Sequence, residues 1–217
     1  MRNFKVVYGF LENDFYEKVK EEINLNDSYK GKMTKGLRSH YDILEQNITT
    51  PYLKELIKNY ANNPKFWKQL CEDLHINIGD DFEDKFKEYI EPAGGLDPSQ
   101  GDKNNQFFYS RFDVGYGMPG YGVVNGGRGV HIDNKNRVIS ALLYFGDQSE
   151  YEGGEFDIAN EDGSVCQRIS LRDNLCVMSA QNKNGWHKVN PLKKLLNNRP
   201  RIGIYFALSS NCQFWER

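Results

Sequence analysis

Gly129-Val130-His131-Ile132-Asp133 is the stretch on which the reading of this chain turns. In extended backbone, residues i and i+2 face the same way, so His131 and Asp133 point together while Ile132 enters the opposite layer. An imidazole and a carboxylate so placed can share one divalent cation with little loss of chain freedom. The third ligand must come from a distant segment. His187, in Asn184-Gly185-Trp186-His187-Lys188-Val189, opens a short apolar stretch that can supply it. Two imidazoles and one carboxylate cover one face of an octahedral ion and leave the other face open, which suits non-haem iron(II) and oxygen. Hydrolytic zinc uses the same donor types, and an H-x-D step also arises by chance. Of the four histidines, His131 and His187 fall in the strand-rich half, while His40 and His75 fall in the helix-rich half.

The choice between iron and zinc turns on Arg201-Ile202-Gly203-Ile204-Tyr205-Phe206-Ala207-Leu208, which alternates with period two. Ile202, Ile204, Phe206 and Leu208 share one face, and Arg201, Gly203, Tyr205 and Ala207 share the other. An arginine among glycine and alanine needs an anionic partner or a route to water, because a buried lone charge is costly. A dicarboxylic cosubstrate reaching out from the metal would meet the guanidinium with a bidentate salt bridge. Tyr144, on the Val138-Ser140-Leu142-Tyr144 face of another strand, could donate a phenolic hydrogen bond to the same carboxylate. The alternative for Arg201 is a surface acid at the strand start. Arg199 is the local competitor, but Pro200 separates it from the regular strand.

Further out, the chain divides by texture. Residues 1–105 are expected to be mainly helical support: a strand Phe4–Tyr8, a helix from Asn13 or Asp14 to Ile23, and a polar loop over 26–40. Helices then follow over Pro51 onward, Pro64–Leu74 and Asp81–Ile90, and Pro92–Asn105 reads as a loop. Residues 106–217 carry short β-branched and aromatic runs between turn signals. These predict strands at Phe107–Val114, Gly129–Asp133, Val138–Phe145, Gly154–Ile158, Val165–Ser170, Asn174–Ser179, His187–Val189 and Arg201–Leu208. The expected fold class is α+β: a double-stranded β-helix, or jelly roll, braced by N-terminal helices within one domain spanning 1–217.

Composition fits an ordinary folded protein, with 39% hydrophobic and 13% aromatic residues in 217. A formal charge of −2 argues against a general electrostatic hold on nucleic acid or an anionic membrane. The opening Met1-Arg2-Asn3-Phe4-Lys5-Val6-Val7 lacks the pattern of a secretory leader. Cys71, Cys166, Cys176 and Cys212 lack C-x-x-C spacing, so reduced thiols in a cytoplasmic protein are expected.

Taken in order, Ser110-Arg111-Phe112-Asp113-Val114-Gly115, His131-Ile132-Asp133, Ser140-Ala141-Leu142-Leu143-Tyr144-Phe145, Tyr151-Glu152-Gly153-Gly154-Glu155-Phe156, His187 and Arg201 resemble the iron(II)/2-oxoglutarate oxygenase superfamily. Within it, the resemblance is to the prolyl 4-hydroxylase-like branch. It implies His131, Asp133 and His187 as iron ligands, Arg201 as the 2-oxoglutarate anchor and Tyr144 as its helper. It also implies Fe(II), 2-oxoglutarate and O2 as cofactor and cosubstrates, with ascorbate as a supporting reductant. Succinate and CO2 would be released as an unactivated C–H bond is hydroxylated. Many relatives carry a tyrosine where Phe112 stands, so Tyr109 is the candidate to replace that cosubstrate contact. Asp133 argues against halogenating variants, in which that carboxylate is lost. The absence of a second arginine after Arg201 argues against base-repair oxygenases.

The substrate is expected to be a small molecule, amino acid or glycan, with Arg111, Asn134, Arg137, Arg128 or Trp186 as possible contacts. Peptidyl-prolyl hydroxylation, with Tyr116, Tyr121 or Trp186 lining a groove, is the alternative, and a non-catalytic jelly-roll binding module is the reading from another class. The glycine-rich stretch Gly115–Gly129 reads as a mobile cover or a plain hairpin connection. Oligomeric state is not legible.

Overall fold

The alternating run beginning at Arg201 forms β13 (Arg201–Ser210), a central strand of the largest sheet. The computed structural model describes residues 3–25, 38–40, 50–90, 101–117, 119 and 128–216. Around β13 the sheet runs in the order β1 (Phe4–Tyr8), β10 (Leu175–Ala180), β6 (Arg137–Phe145), β13, β4 (Phe108–Gly117) and β2 (Arg38–His40). A further strand, β3 (Phe86–Ile90), also pairs with β4. Facing it is a four-stranded antiparallel sheet in the order β5 (Arg128–His131), β11 (His187–Val189), β8 (Phe156–Ala159) and β9 (Val165–Ile169). A two-stranded ribbon joins β7 (Tyr151–Gly153) to β12 (Leu192–Leu195). This is a double-stranded β-helix of α+β class.

Period-two alternation divides the core into two clusters. Ile202, Ile204, Phe206 and Leu208 point away from the small sheet and pack with Val114, Leu143 and the helices. The opposite face contributes Tyr144, Leu175 and Val177, which meet Phe156 and Ile158 of the small sheet. The helices therefore brace one side of the large sheet and leave the space between the sheets for chemistry.

Local sequence explains the brace. In α1 (Asn13–Leu25), Tyr16, Val19 and Ile23 recur at helical spacing and are buried. The Tyr16 ring stacks on Phe145 at 5.0 Å with an 8° interplanar angle. Pro51 and Pro64 open α2 (Pro51–Leu56) and α3 (Pro64–Asp73), where a missing N–H costs nothing. The Asn63 side chain caps α3 by accepting from the Lys65 and Phe66 amides. Trp67 is fully buried, and its indole N–H donates to the Ala61 carbonyl at 2.7 Å.

Three sequence expectations change. The helix expected over Asp81–Ile90 is one short turn, α4 (Phe82–Lys85), followed by β3. Residues i and i+4 share a face in both a helix and a strand, so the Phe82, Phe86, Ile90 series did not discriminate between them. The structure resolves it by pairing Phe86 with Phe108 and Ile90 with Ser110 in parallel register. The loop expected over 26–40 ends in β2, which pairs antiparallel with Gly115, Val114 and Asp113; residues 26–37 lie outside the described residues. The strand expected over Gly129–Asp133 is β5, which ends at His131, so Asp133 lies just past it. Most of the Pro92–Asn105 loop and most of the Gly115–Gly129 stretch, including Tyr121, also lie outside the described residues. Among the described residues no helix is long and apolar enough to cross a membrane.

Candidate metal centre and cosubstrate pocket

Strands β5 and β11 pair so that His131 and His187 are direct cross-strand partners. Their ring centroids lie 4.5 Å apart. Asp133 follows two residues after His131, and its Oδ1 lies 3.7 Å from His131 Nε2. One potential ligand atom from each of His131, Asp133 and His187 falls within 4.8 Å of the others. The convergence expected from sequence is present.

The backbone sets the ring orientations. His131 Nδ1 lies 2.7 Å from the Gly129 carbonyl, and His187 Nδ1 lies 2.8 Å from the Gly185 carbonyl. In the neutral tautomer Nδ1–H donates to that carbonyl, which leaves each Nε2 lone pair for a metal. Phe156 stacks on the His187 ring at 5.4 Å and 10°. The carboxylate is held as firmly. The Asp133 amide donates to Gln181 Oε1 at 3.1 Å, and Ser140 Oγ donates to Asp133 Oδ2 at 2.5 Å. Burial pushes the Asp133 carboxyl up, but His187, the Ser140 hydroxyl, Arg137 and His131 together hold it below the usual carboxylate range. A carboxylate held in its ionised form beside two imidazoles is a donor set for a divalent cation.

Beyond this cluster the inner face of the large sheet carries Arg201. Its cross-strand partner is Gly117, and Gly203 beside it pairs with both Gly115 and Tyr144. Two glycines leave space at the guanidinium. A Cβ at Gly117 would stand 3.1 Å from Arg201 Nε, and one at Gly154 would stand 3.0 Å from Arg201 Nη1. Gly154 has φ +88°, and its carbonyl accepts from Arg201 Nη1 at 2.9 Å. The Gly153-Gly154 step therefore makes room for the guanidinium and helps hold it. Tyr144 is buried, and its hydroxyl has no hydrogen-bond partner among the described residues. Burial pushes that phenol up to about 12, with Arg201 pulling against it. A buried hydroxyl donor without an acceptor among the described residues, next to a guanidinium, fits a carboxylate ligand.

The other expected contacts divide. Phe112 belongs to the outer core, packed toward the helices; the chamber positions on β4 are Tyr109, Arg111 and Asp113. Phe112 is therefore not where a cosubstrate-binding tyrosine could stand. Tyr109 faces inward but pairs with Ser209, eight residues along β13 from Arg201, roughly 26 Å at strand rise. Its hydroxyl accepts from Asn136 Nδ2 at 3.1 Å. Tyr109 and Arg201 are not brought together, because β4 runs antiparallel to β13 and puts them at opposite ends. Arg111 and Arg137 do converge, with guanidinium carbons 5.6 and 5.9 Å from the Tyr205 ring centre. Arg111 also pairs with Asp113 at 2.8 Å, and Arg137 donates to Ser209 Oγ. Asn134 is exposed in the turn after Asp133, its carbonyl accepting the Arg137 amide at 2.9 Å. Trp186 is half-buried, and its carbonyl accepts the Ala159 amide at 3.0 Å. Of Arg128, only the backbone is described. Sequence reading assigned no role to Ser140 or Tyr205, although both share the inward parity of residues already singled out.

Residues 118–207 match the model of the 2OG-Fe(II) oxygenase superfamily, a span that contains the two histidines, Asp133, Tyr144 and Arg201. The matched segment is less than half of the chain; with the site it contains, it shows a 2-oxoglutarate-dependent dioxygenase, and the solved structures show that the chain has a prolyl 4-hydroxylase-like fold. Its cofactor is Fe(II), and its cosubstrates are 2-oxoglutarate and O2. Among solved structures, the chain is similar to a prolyl hydroxylase from Trichoplax adhaerens in complex with a hypoxia inducible factor oxygen degradation domain peptide fragment. The TM-score there is 0.56 and the identity 13%, covering 96% of this chain and 84% of that one. A Pseudomonas putida prolyl-4-hydroxylase gives a TM-score of 0.55 at 14% identity, covering 95% and 92%. The protein titled IDO from Bacillus thuringiensis gives 0.55 at 13%, covering 96% and 93%. No curated protein matches the chain.

Proposed function

We propose that His131 and His187, each through Nε2, and Asp133 through Oδ1, bind the Fe(II). We further propose that Arg201 and Tyr144 hold the distal carboxylate of 2-oxoglutarate, and that the enzyme hydroxylates an unactivated C–H bond of a small molecule, amino acid or glycan-type substrate. The observation that carries this reading is the convergence of the three donors with both Nδ1 atoms already engaged by carbonyls. The bound iron and cosubstrate supply the oxidising chemistry, with release of succinate and CO2. The chain's part is positioning. Gly117 and Gly154 leave space for Arg201, the buried Tyr144 hydroxyl donates to the same carboxylate, and Phe156 keeps water from one side of His187. Arg111 and Arg137 beside Tyr205 support a compact polar substrate seated between the sheets.

Peptidyl-prolyl hydroxylation is the second reading, supported by the likeness to a prolyl hydroxylase whose printed title includes a bound peptide. We read residues 1–217 as one domain in which the large sheet joins both halves, and its four free thiols as suited to a reducing cytoplasm.

The test is succinate formation from 2-oxoglutarate with Fe(II) and ascorbate, run against panels of metabolites, glycans and proline-containing peptides. The proposal expects uncoupled turnover that is lost in His131→Ala and Arg201→Ala, and stimulation by a small polar compound. Stimulation by peptides alone would favour the second reading. Tight zinc retention without turnover at any iron loading would overturn both.

A further inference from the structure

Asp133 has two carboxylate oxygens, and a carboxylate can hold a metal through one or through both. Here the two oxygens have different neighbours. Oδ1 faces His131 Nε2 at 3.7 Å, while Oδ2 accepts the Ser140 hydroxyl at 2.5 Å. Ser140 Oγ in turn lies 3.0 Å from the Tyr205 hydroxyl. Strand register explains the alignment: Ser140 on β6 and Tyr205 on β13 both face the chamber, with Ala207 directly opposite Ser140 and Tyr205 directly opposite Leu142. Tyr205 thus reaches diagonally across a position where Ala207 has no bulk to obstruct it. The Arg111 and Arg137 guanidinium carbons lie 5.6 and 5.9 Å from the Tyr205 ring centre, within cation–π range.

We infer that Ser140 and Tyr205 are positioning residues that act in series on Asp133. Ser140 occupies Oδ2, so that Oδ1 alone is presented to the metal, and Tyr205 fixes the Ser140 rotamer. This rests on the metal assignment proposed above. It predicts a hierarchy: Tyr205 affects the metal only through Ser140, and Ser140 only through the carboxylate. Partners that orient a metal ligand in this way typically change affinity by roughly 10–100-fold when removed.

The experiment is a competition titration with Co(II), without 2-oxoglutarate or substrate, on wild type, Ser140→Ala, Tyr205→Phe, the double variant and Ser140→Thr. Thermal unfolding of each metal-free protein checks folding. The expected result is a Co(II) dissociation constant raised about 10–100-fold in Ser140→Ala and less in Tyr205→Phe. The double variant should be no weaker than Ser140→Ala, because residues acting in series are not additive, and Ser140→Thr, which keeps a hydroxyl, should be near wild type. Wild-type affinity in Ser140→Ala, or effects that multiply in the double variant, would overturn the inference while leaving the metal site standing. Wild-type Co(II) affinity in a parallel His131→Ala titration would instead show that the metal assignment itself has failed, and the inference with it.

Discussion

Replacing Tyr144 with phenylalanine should move two measurements in opposite directions. The ring is buried and packs with Leu175 and Phe156, and phenylalanine keeps that packing. Only the hydroxyl is lost, and it has no hydrogen-bond partner among the described residues. A buried hydroxyl left without a partner costs about 1–3 kcal/mol. Removing it should therefore stabilise the cosubstrate-free protein, by at most about that amount. For a chain of this length, each kcal/mol shifts the unfolding midpoint by about 2–4 °C, so the melting temperature should rise, by at most about 12 °C. With 2-oxoglutarate the sign reverses. A hydrogen bond to a charged group contributes about 1.5–3 kcal/mol, so its loss should weaken cosubstrate binding roughly 10- to 150-fold. Differential scanning fluorimetry with and without 2-oxoglutarate, on protein loaded with a redox-inert divalent ion, reads both effects in one plate. A variant less stable without cosubstrate would show that the hydroxyl already has a partner. Unchanged 2-oxoglutarate affinity would show that the carboxylate lies elsewhere. Either result refutes the reasoning.

Gly154→Ala should raise the 2-oxoglutarate KM and cost about 1–3 kcal/mol in urea unfolding, because φ is +88° and the new methyl would meet Arg201 Nη1 at 3.0 Å. Gly163→Ala is the control. It shares a positive φ of +86° with nothing within 4 Å of a Cβ, so stability should fall while KM stays. On the outer side of the small sheet, Asp157 takes a paired contact from Arg168 at 2.7 and 2.9 Å and lies 3.4 Å from Lys188 Nζ. Burial pushes the Asp157 carboxyl up, but Arg168, Asn190 and Lys188 bring it below its ordinary value. A carboxyl with a lowered folded pKa stabilises the fold above its unfolded value of about 3.9, and that contribution fades as pH falls through the folded value. The stability difference between wild type and Asp157→Asn should therefore be constant near neutrality and shrink below about pH 4, measured by urea unfolding across pH. A difference that instead grows in acid would reverse the assignment.

Much of the site was legible because its chemistry is carried by strands, where parity is simple. Arg201 and Gly203 were placed on one face by counting in twos, and the structure keeps that face; His131 and Asp133 also converge, although β5 ends at His131 and Asp133 lies just past it. Spacing alone would not have sufficed, since His40-Tyr41-Asp42 is also an H-x-D step. Its His40 lies on β2, paired with Asp113 at the sheet edge, and Asp42 lies outside the described residues. A distant His187 and the strand-rich surroundings are what distinguish the first step from the second.

The misplacements come from information that a single strand does not contain. Tyr109 was assigned to the cosubstrate although parity gives it only the correct face; how far along that face it lies depends on the antiparallel register with β13, set by pairing across the sheet. Phe112, the position compared with a tyrosine of relatives, lies on the outer face by parity, since Arg111 and Asp113 hold the inward positions. Ser140 and Tyr205 show the complementary limit. Each lay on an inward face that had already been read, but neither has a meaning until β6 and β13 are set side by side and the two hydroxyls fall in line behind Asp133. Ligand types can thus be read from one strand at a time, whereas the residues that aim a ligand are defined by pairs of strands. That is why the proposed Ser140 and Tyr205 roles are best tested by a double variant and not by either substitution alone.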